Sequence, residues 1–255
     1  MHFILGGKGF IGSAFVRYCQ AKGIDHAVIT RENYPAYVGR SCDVFVNANG
    51  NSSKVLAERD PMADFDASVR SVRQTLLDFR IGCYAHLSSC DVYQDCSSPL
   101  TSAEDRLDAP ASLSKYGFHK RLAEQCVQHG APNWLIFRLG GGVGPGLRKN
   151  AVFDILRGGP LWLDPESRLQ FLPTDFIPEA LAQALAAARR NEVFNLCGDG
   201  VVSLREAIAW SGKPVAVNPG APRVNYDVSV AKIKTIVRLP LTRESVRAYL
   251  QGAAR

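Results

Sequence analysis

The stretch His2-Phe3-Ile4-Leu5-Gly6-Gly7-Lys8-Gly9-Phe10-Ile11-Gly12 decides the fold. His2 to Leu5 is a short apolar run of strand length, and the glycines at 6, 9 and 12 follow it at once. From about Phe10 to Lys22 the periodicity is helical, with Ile11, Phe15 and Tyr18 turned to one side. Gly23 stops the helix and Ala27 to Thr30 reads as a second strand. Strand, glycine turn and helix within thirty residues is the setting of a dinucleotide fingerprint. Glycines at these positions free the backbone to approach a pyrophosphate, whose charge favours the helix N-terminus. No Gly-Lys-Ser/Thr sequence follows Lys8, which disfavours a nucleotide-hydrolysing phosphate loop.

Working outward, Cys42 to Ala48 reads as a further buried strand, yet the intervening RENYPAYVGRSC is too short for a helix, a strand and their loops. The first half of the sheet is therefore expected to lack one unit. A helix over about 65–79, a strand over 83–88, a long helix over 112–129 and a strand over 133–139 continue the alternation. Beyond Gly140 the elements shorten: helices over 151–156, 204–210 and 242–251, extended segments over 169–172 and 193–196, and an alanine-rich helix over 179–189. The expected fold is α/β, a Rossmann-like doubly wound parallel sheet shortened in its first half, with a small interleaved C-terminal substrate lobe. The boundary is placed at 148/149, with the segment 175–190 packing back on the first domain.

The 255 residues, 46% of them hydrophobic, can bury a sizeable core, which excludes a disordered or disulfide-stapled chain. No apolar run is long enough to span a membrane, and the early glycines do not suit a secretory leader. The net charge of +6 is scattered without a basic cluster, so neither nucleic acid nor membrane is an expected partner; a small anionic molecule is. Seven cysteines without CxxC or metal-ligand spacing fit reduced thiols in a cytoplasmic protein, and no metal site is expected.

Several residue types are placed for chemistry. Tyr116 and Lys120 lie four apart in a predicted helix and so share a face, where an ammonium stabilises a phenolate. Ser88 and Ser89 end the strand before that helix, at the edge where such sheets bind ligands. At the end of the second strand an NAD site usually offers an acid for the ribose. Here Arg31 stands instead, suited to a 2′-phosphate, with Arg40 a possible helper and Glu32 a competing acid. NADP is the expected cofactor and NAD the alternative. His86, inside a strand, reads as packed or adjacent to the cofactor.

These motifs, in this order, resemble the extended short-chain dehydrogenase/reductase family, the NAD(P)-dependent epimerases and dehydratases acting largely on nucleotide sugars. GGKGFIG matches its Gly-x-x-Gly-x-x-Gly fingerprint, LSSCDVY its segment ending in Val-Tyr, and YGFHK its Tyr-x-x-x-Lys motif. RLGGGVGPG is similar to its Arg-x-x-Asn-x-x-Gly-Pro segment, and FNLCGDGVVSLREA to a later Asn-x-x-x-Gly stretch, so the likeness spans about 1–210. The resemblance implies hydride transfer between a nicotinamide and a substrate carbon, with Tyr116 as general acid or base, Lys120 on the nicotinamide ribose and Ser89 orienting the substrate oxygen. It places Gly6, Gly9, Phe10, Ile11, Gly12, Arg31, Asn47, Asn49, Ser88 and Leu139 along the cofactor, beside Tyr116 and Lys120. Cys90, Asp91, His119, Gly141 and Arg168 are the candidate substrate contacts. For His119 a place on the helix surface competes, for Cys90 simple packing, and Arg168, with Trp162 and Phe171, lies where relatives hold the nucleotide. A homodimer through the helices starting near Phe65 and Ser112 is also implied.

The chain departs from the family at Gly141 (usually asparagine), His119 (usually serine) and Ser68 (often asparagine). Cys90 and Asp91 stand where dehydratases carry an Asp-Glu pair, which disfavours 4,6-dehydration. The expected activity is NADP-dependent transfer of a hydride to or from a keto/hydroxyl carbon of a nucleotide-sugar-like substrate. The alternatives are an NAD-dependent 4-epimerase that retains its cofactor, and a catalytically weak NAD(P)-binding regulatory protein.

Overall fold

The computed structural model describes residues 1–106 and 108–253. Apolar runs that alternate between two buried faces form a six-stranded parallel sheet in the order β2-β1-β3-β4-β5-β9. Its strands are β1 (His2–Leu5), β2 (His26–Ile29), β3 (Ser41–Asn47), β4 (Arg80–Ser89), β5 (Trp134–Leu139) and β9 (Glu192–Leu196). One face buries Ile4, Val44, Val46, Ala85, Leu135 and Phe194 against helix α1 (Gly12–Lys22) and helix α7 (Phe176–Ala186). The other buries Phe3, Phe45, Tyr84 and Ile136 against α4 (Ser71–Asp78) and α5 (Lys115–Gly130). Strand order reverses between β1 and β3, since the chain leaves β1 toward β2 and returns to the opposite side. That reversal opens a crevice at the strands' carboxyl ends.

The unit expected to be missing is missing: β2 is the edge strand. Between Thr30 and Ser41 the chain makes only a short 3₁₀ turn over Tyr34–Tyr37. Tyr37 meets Phe3 edge-on at 5.3 Å, and Tyr34 meets Phe79 at 5.2 Å while its hydroxyl donates to Asp78 Oδ2 at 2.9 Å. Two tyrosines thus close a face that a crossover helix would otherwise cover.

The helix read as 65–79 is built differently. Short helices α2 (Lys54–Arg59) and α3 (Pro61–Phe65) precede it, and a π-turn over Asp66–Arg70 joins α3 to α4. Pro61 sits at the first helical position and the Asp60 side chain accepts from the Ala63 amide at 3.0 Å, a start signal that apolar periodicity alone passes over. Likewise α7 begins at Phe176 rather than Glu179, because Pro178 falls within its first turn.

After β5 the chain builds a smaller lobe from β6 (Gly141–Val143), α6 (Ala151–Leu156), β7 (Arg168–Leu169) and β8 (Phe171–Pro173), returns through α7 and β9, and adds β10 (Val202–Ser203), α8 (Leu204–Ser211) and α9 (Thr242–Ala253). This lobe has its own core around Val152, Leu161, Phe171, Leu204 and Val246. Segment α7 belongs to the sheet's core through Ile177, Ala180 and Leu181.

A buried ion pair ties the layers together. Arg138 on β5 donates from Nη2 to Glu124 Oε2 on α5 at 2.8 Å and from Nε to Oε1 at 3.0 Å. Ser88 Oγ donates to the same carboxylate at 2.5 Å, and Arg138 Nη1 to the Tyr93 hydroxyl at 2.7 Å. Removing one member leaves the other charged and dry. Glu124→Ala is expected to lower unfolding free energy by about 3–5 kcal/mol, and Glu124→Leu with Arg138→Met to recover most of it, as read by urea denaturation.

Candidate active site

The crevice is assembled at the carboxyl ends of β1, β3, β4 and β5, with α5 forming one wall. Gly6 has φ +80°, and a Cβ on Gly12 would stand 2.1 Å from the Gly6 carbonyl oxygen, so only glycine lets α1 begin this close to the loop. The Gly9 amide donates back to Gly6 O at 2.9 Å, while the Phe10 and Ile11 amides are engaged by no backbone carbonyl among the described residues. Free amides at a helix N-terminus inside a cradle that a Cβ would fill are what a pyrophosphate needs. The loop fits a dinucleotide.

On α5, Ser114 caps the helix by accepting from the Gly117 amide at 3.1 Å, which sets Tyr116 and Lys120 facing the crevice. Both are buried, and Lys120 Nζ lies 5.4 Å from the Tyr116 ring centroid. Burial, and then the charge of Asp91, hold the Tyr116 phenol above its ordinary range, while hydrogen bonding with Ser89 pulls the other way. Burial brings Lys120 down to about 8, against the opposing attraction of Asp64, Asp91 and Glu124. Its ammonium donates to no protein acceptor among the described residues. Ser89, at the end of β4, donates to Asp91 Oδ2 at 3.1 Å and its Oγ accepts from the Asp91 amide.

Other predicted residues are placed as follows. Asn49 and Leu139 lie at the ends of β3 and β5, on the crevice. Asn47 is fully buried, donating to the Tyr84 hydroxyl at 2.7 Å and accepting from the Asn49 amide at 3.0 Å, so it shapes the loop instead of reaching into the crevice. The Ser88 hydroxyl is spent on Glu124, and Cys90 Sγ on Arg138 O and Cys197 Sγ, which removes these side chains from direct cofactor or substrate contact. Phe10 and Ile11 turn their side chains into the two cores. His119 is not on the helix surface: it is buried, with Nδ1 2.7 Å from Asp64 Oδ2. A Cβ on Gly141 would meet the Phe171 ring at 2.6 Å, so no asparagine fits there. Phe171 is itself buried, which takes it away from any nucleotide. Arg168 and Trp162 are exposed on the second lobe. Arg31 and Glu32 are exposed at the end of β2, where Lys8 and Arg31 both help hold the Glu32 carboxyl below its usual range after its bonding to Thr30 and its own backbone. Arg40 lies over the Tyr37 ring at 5.1 Å. His86 is buried with both ring nitrogens unpartnered, and burial pushes it to about 3, leaving it neutral. No cluster with metal-ligand character exists among the described residues, and no described helix is long and apolar enough to cross a membrane.

The sequence profile of the NAD dependent epimerase/dehydratase family matches residues 2–157. The chain belongs to this family. It is an NAD(P)-dependent enzyme of the extended short-chain dehydrogenase/reductase kind. No curated protein sequence matches it. Among solved structures it is similar to a UDP-galactose 4-epimerase (21% identity, TM-score 0.80, covering 100% of this chain and 99% of that one). It is similar also to RMD from Pseudomonas aeruginosa complexed with NADPH (18%, 0.78, 100% of both) and to MoeE5 in complex with UDP-glucose and NAD (17%, 0.83, 100% and 98%). At these identities the likeness is one of fold.

Three groups that sequence reading of this family member passed over converge on the site. Lys54 Nζ donates to Asp91 Oδ1 at 2.6 Å, and the Tyr226 hydroxyl donates to the same oxygen at 2.7 Å. Tyr226 comes from an irregular segment of the second lobe whose amide donates to Arg168 O, so the contact spans the crevice. The third is Asp64. No motif spacing marks any of them, because each arrives through tertiary packing.

The depressed value at Lys120 makes a prediction about stability. Below about pH 8 both native and unfolded chains carry the proton, and the native state bears the full cost of a buried ammonium. Between about 8 and the ordinary 10.5 the unfolded chain keeps a proton the native state has lost, so the cost fades. Lys120→Met is therefore expected to raise Tm at neutral pH, with the gain shrinking toward pH 10.5, while turnover falls at least a hundredfold; calorimetry across pH checks the first and an NADPH-oxidation assay the second.

Proposed function

We propose that this protein is an NADP-dependent reductase acting on a keto carbon of a nucleotide-sugar-like substrate. The observation that carries the reading is the placement of Tyr116, buried with Lys120 Nζ 5.4 Å from its ring centroid and Ser89 at the end of β4, an arrangement suited to a phenol that gives up and regains a proton. A bound nicotinamide would supply the hydride. Tyr116 gives its proton to the oxygen of the reduced carbon, and Ser89 fixes that oxygen by a hydrogen bond. The Lys120 ammonium, beside the Tyr116 ring, stabilises the phenolate left behind until solvent restores the proton. The loop of Gly6, Gly9 and Gly12 holds the pyrophosphate. Arg31, with Lys8 at the same end of the sheet, meets the 2′-phosphate. RMD carries NADPH in its solved structure, which supports this cofactor for the fold. Asp91, held by Lys54 and Tyr226, and Arg168 on the facing lobe contact substrate, Arg168 toward a diphosphate. Residues 1–148 form the dinucleotide-binding domain and 149–255 mainly the substrate lobe.

A second reading, an NAD-dependent 4-epimerase, is favoured by the fold likeness to UDP-galactose 4-epimerase. An epimerase returns the hydride to the opposite face and keeps its cofactor, whereas a reductase exchanges cofactor each turnover. Nicotinamide surviving gel filtration with the protein would sink the reductase reading. We also infer a homodimer through the face shared by α3, the π-turn and α5, where Phe65, Val69, Leu122 and Cys126 line an open apolar groove; sedimentation measures it directly.

Two substitutions test the chemistry and the cofactor separately. Tyr116→Phe should abolish NADPH oxidation over a panel of keto-sugar nucleotides while leaving NADPH binding within a few-fold; unchanged turnover would count against the mechanism. Arg31→Ala should weaken NADPH binding by about ten- to a hundredfold and leave NADH binding unaltered, since one charge-assisted contact is lost. Equal effects on both cofactors would remove the 2′-phosphate assignment.

A further inference from the structure

Behind Lys120 lies a cluster that the reaction as described does not use. Asp64, on α3, is completely buried. Its carboxylate accepts from three side chains brought in by three different elements. His119 on α5 places Nδ1 2.7 Å from Oδ2; Ser68 in the π-turn donates Oγ–H to Oδ1 at 3.1 Å; and Asn51, in the loop after β3, donates from Nδ2 to Oδ1 at 2.9 Å. A carboxylate taken from water survives only with such a set of donors. His119 is the immediate neighbour of Lys120, and its ring is fixed from a second side by Phe65 at 5.6 Å between centroids.

The cluster reaches Lys120 through a notch at Gly50, whose φ is +121°. The point where a Cβ would stand is 3.4 Å from Lys120 Nζ, 3.7 Å from Ala67 O and 3.8 Å from Ser68 Oγ. The missing side chain leaves the ammonium and the Ser68 hydroxyl, which is bonded to Asp64, facing one small polar gap. The π-turn over Asp66–Arg70 brings Ala67 and Ser68 into that gap, a common use of such a bulge at a functional site.

We propose that Asp64 is a positioning residue, a buried negative charge clamped by His119, Ser68 and Asn51 that keeps Lys120 protonated and directed at the cofactor. This rests on the reading of Lys120 given under the proposed function. The two departures at 119 and 68 then belong together: both side chains are spent on the Asp64 carboxylate. Among the carboxylates that oppose the dehydrating effect of burial on Lys120, Asp64 acts most strongly, ahead of Asp91 and Glu124. The other groups facing Lys120 are Tyr116 on its own helix, Lys149 from the second lobe and the neutral His86 of β4.

The test is the pH dependence of NADPH binding, followed by fluorescence, in wild type, Asp64→Asn, His119→Gln and Lys120→Met. In wild type, affinity should fall as pH rises through about 8, where Lys120 loses its proton. In Asp64→Asn that fall should move to lower pH by about one unit, because a nearby opposite charge has gone. Affinity and kcat should approach wild type at pH 6 and drop about tenfold at pH 8. His119→Gln, which keeps a donor for Asp64, should retain the wild-type midpoint. An unshifted midpoint in Asp64→Asn, or an equal loss at every pH, would show a structural role only and overturn the proposal. Should Asp64→Asn fail to fold, Ser68→Ala supplies the same reading through a weakened clamp, expected to lower the midpoint by a smaller amount, and no movement would again overturn it. Lys120→Met separates the two readings: if it binds NADPH as wild type does at all pH, Lys120 itself has been misassigned, whereas a flat, weakened profile there beside an unshifted Asp64→Asn rejects Asp64 alone.

Discussion

The buried pair of Arg138 and Glu124 is the constraint on which the site depends. Glu124 lies one helical turn beyond Lys120 and two beyond Tyr116 on α5, so anchoring it fixes the rotation and height of α5 against the sheet. Arg138 is heavily engaged: it makes three contacts to Glu124, one to the Glu104 carbonyl and one to the Tyr93 hydroxyl, which in turn donates to Asn195 Oδ1 on β9 at 2.8 Å. Ser88, adjacent to Ser89, completes the carboxylate's set of donors. A single network therefore locks β4, β5, β9 and α5 together at the end of the sheet where the crevice opens. Two apolar residues of equal volume would pack there, but they would not discriminate among the neighbouring registers of α5; directional bonds do.

The same helix carries a second burden of buried charge at Lys120, and the two are handled differently. Arg138 and Glu124 neutralise each other inside the protein. Lys120 has carboxylates near it but no direct acceptor among the described residues, and burial lowers it to about 8. A buried ammonium held by no protein acceptor among the described residues destabilises the protein, and on the proposed reading a bound cofactor would relieve that cost. Strain of this kind is concentrated where binding can relieve it.

How far the sequence reading reached follows from the range of the forces involved. The glycine loop, the Tyr116–Lys120 spacing and the end of β4 at Ser89 are local, and each was legible because period, turn chemistry and helix geometry act over a few residues. The loss of a unit between Thr30 and Cys42 was equally plain from chain length. What escaped was set by contacts distant in sequence. Asp64 meets His119 across 55 positions and Tyr226 meets Asp91 across 135. His119 read as a surface residue because helical periodicity says which residues share a face, not which of two polar faces another element will cover. Asn47 and Ser88 had the right chemistry at strand ends, but strand alternation turned their side chains into the protein, and Cys90, in the turn after β4, packs against Cys197.

The trimming of the first half leaves the crevice beside α5 intact. The absent unit would have lain outside β2, at the sheet edge farthest from α5, where the adenosine end of a dinucleotide lies in a doubly wound sheet. Its loss exposes a face that Tyr34 and Tyr37 now cover, and the cost of the exchange falls on the edge, not on β4, β5 or α5. The edge is also where Lys8, Arg31 and Glu32 stand in the open. With fewer walls there, the proposed recognition of an adenosine ribose would rest on a few exposed charges, which solvent screens, whereas the Tyr116 end of the crevice is held by buried networks. Cofactor preference should thus be the easier property to alter by substitution, and the proton-transfer geometry the harder.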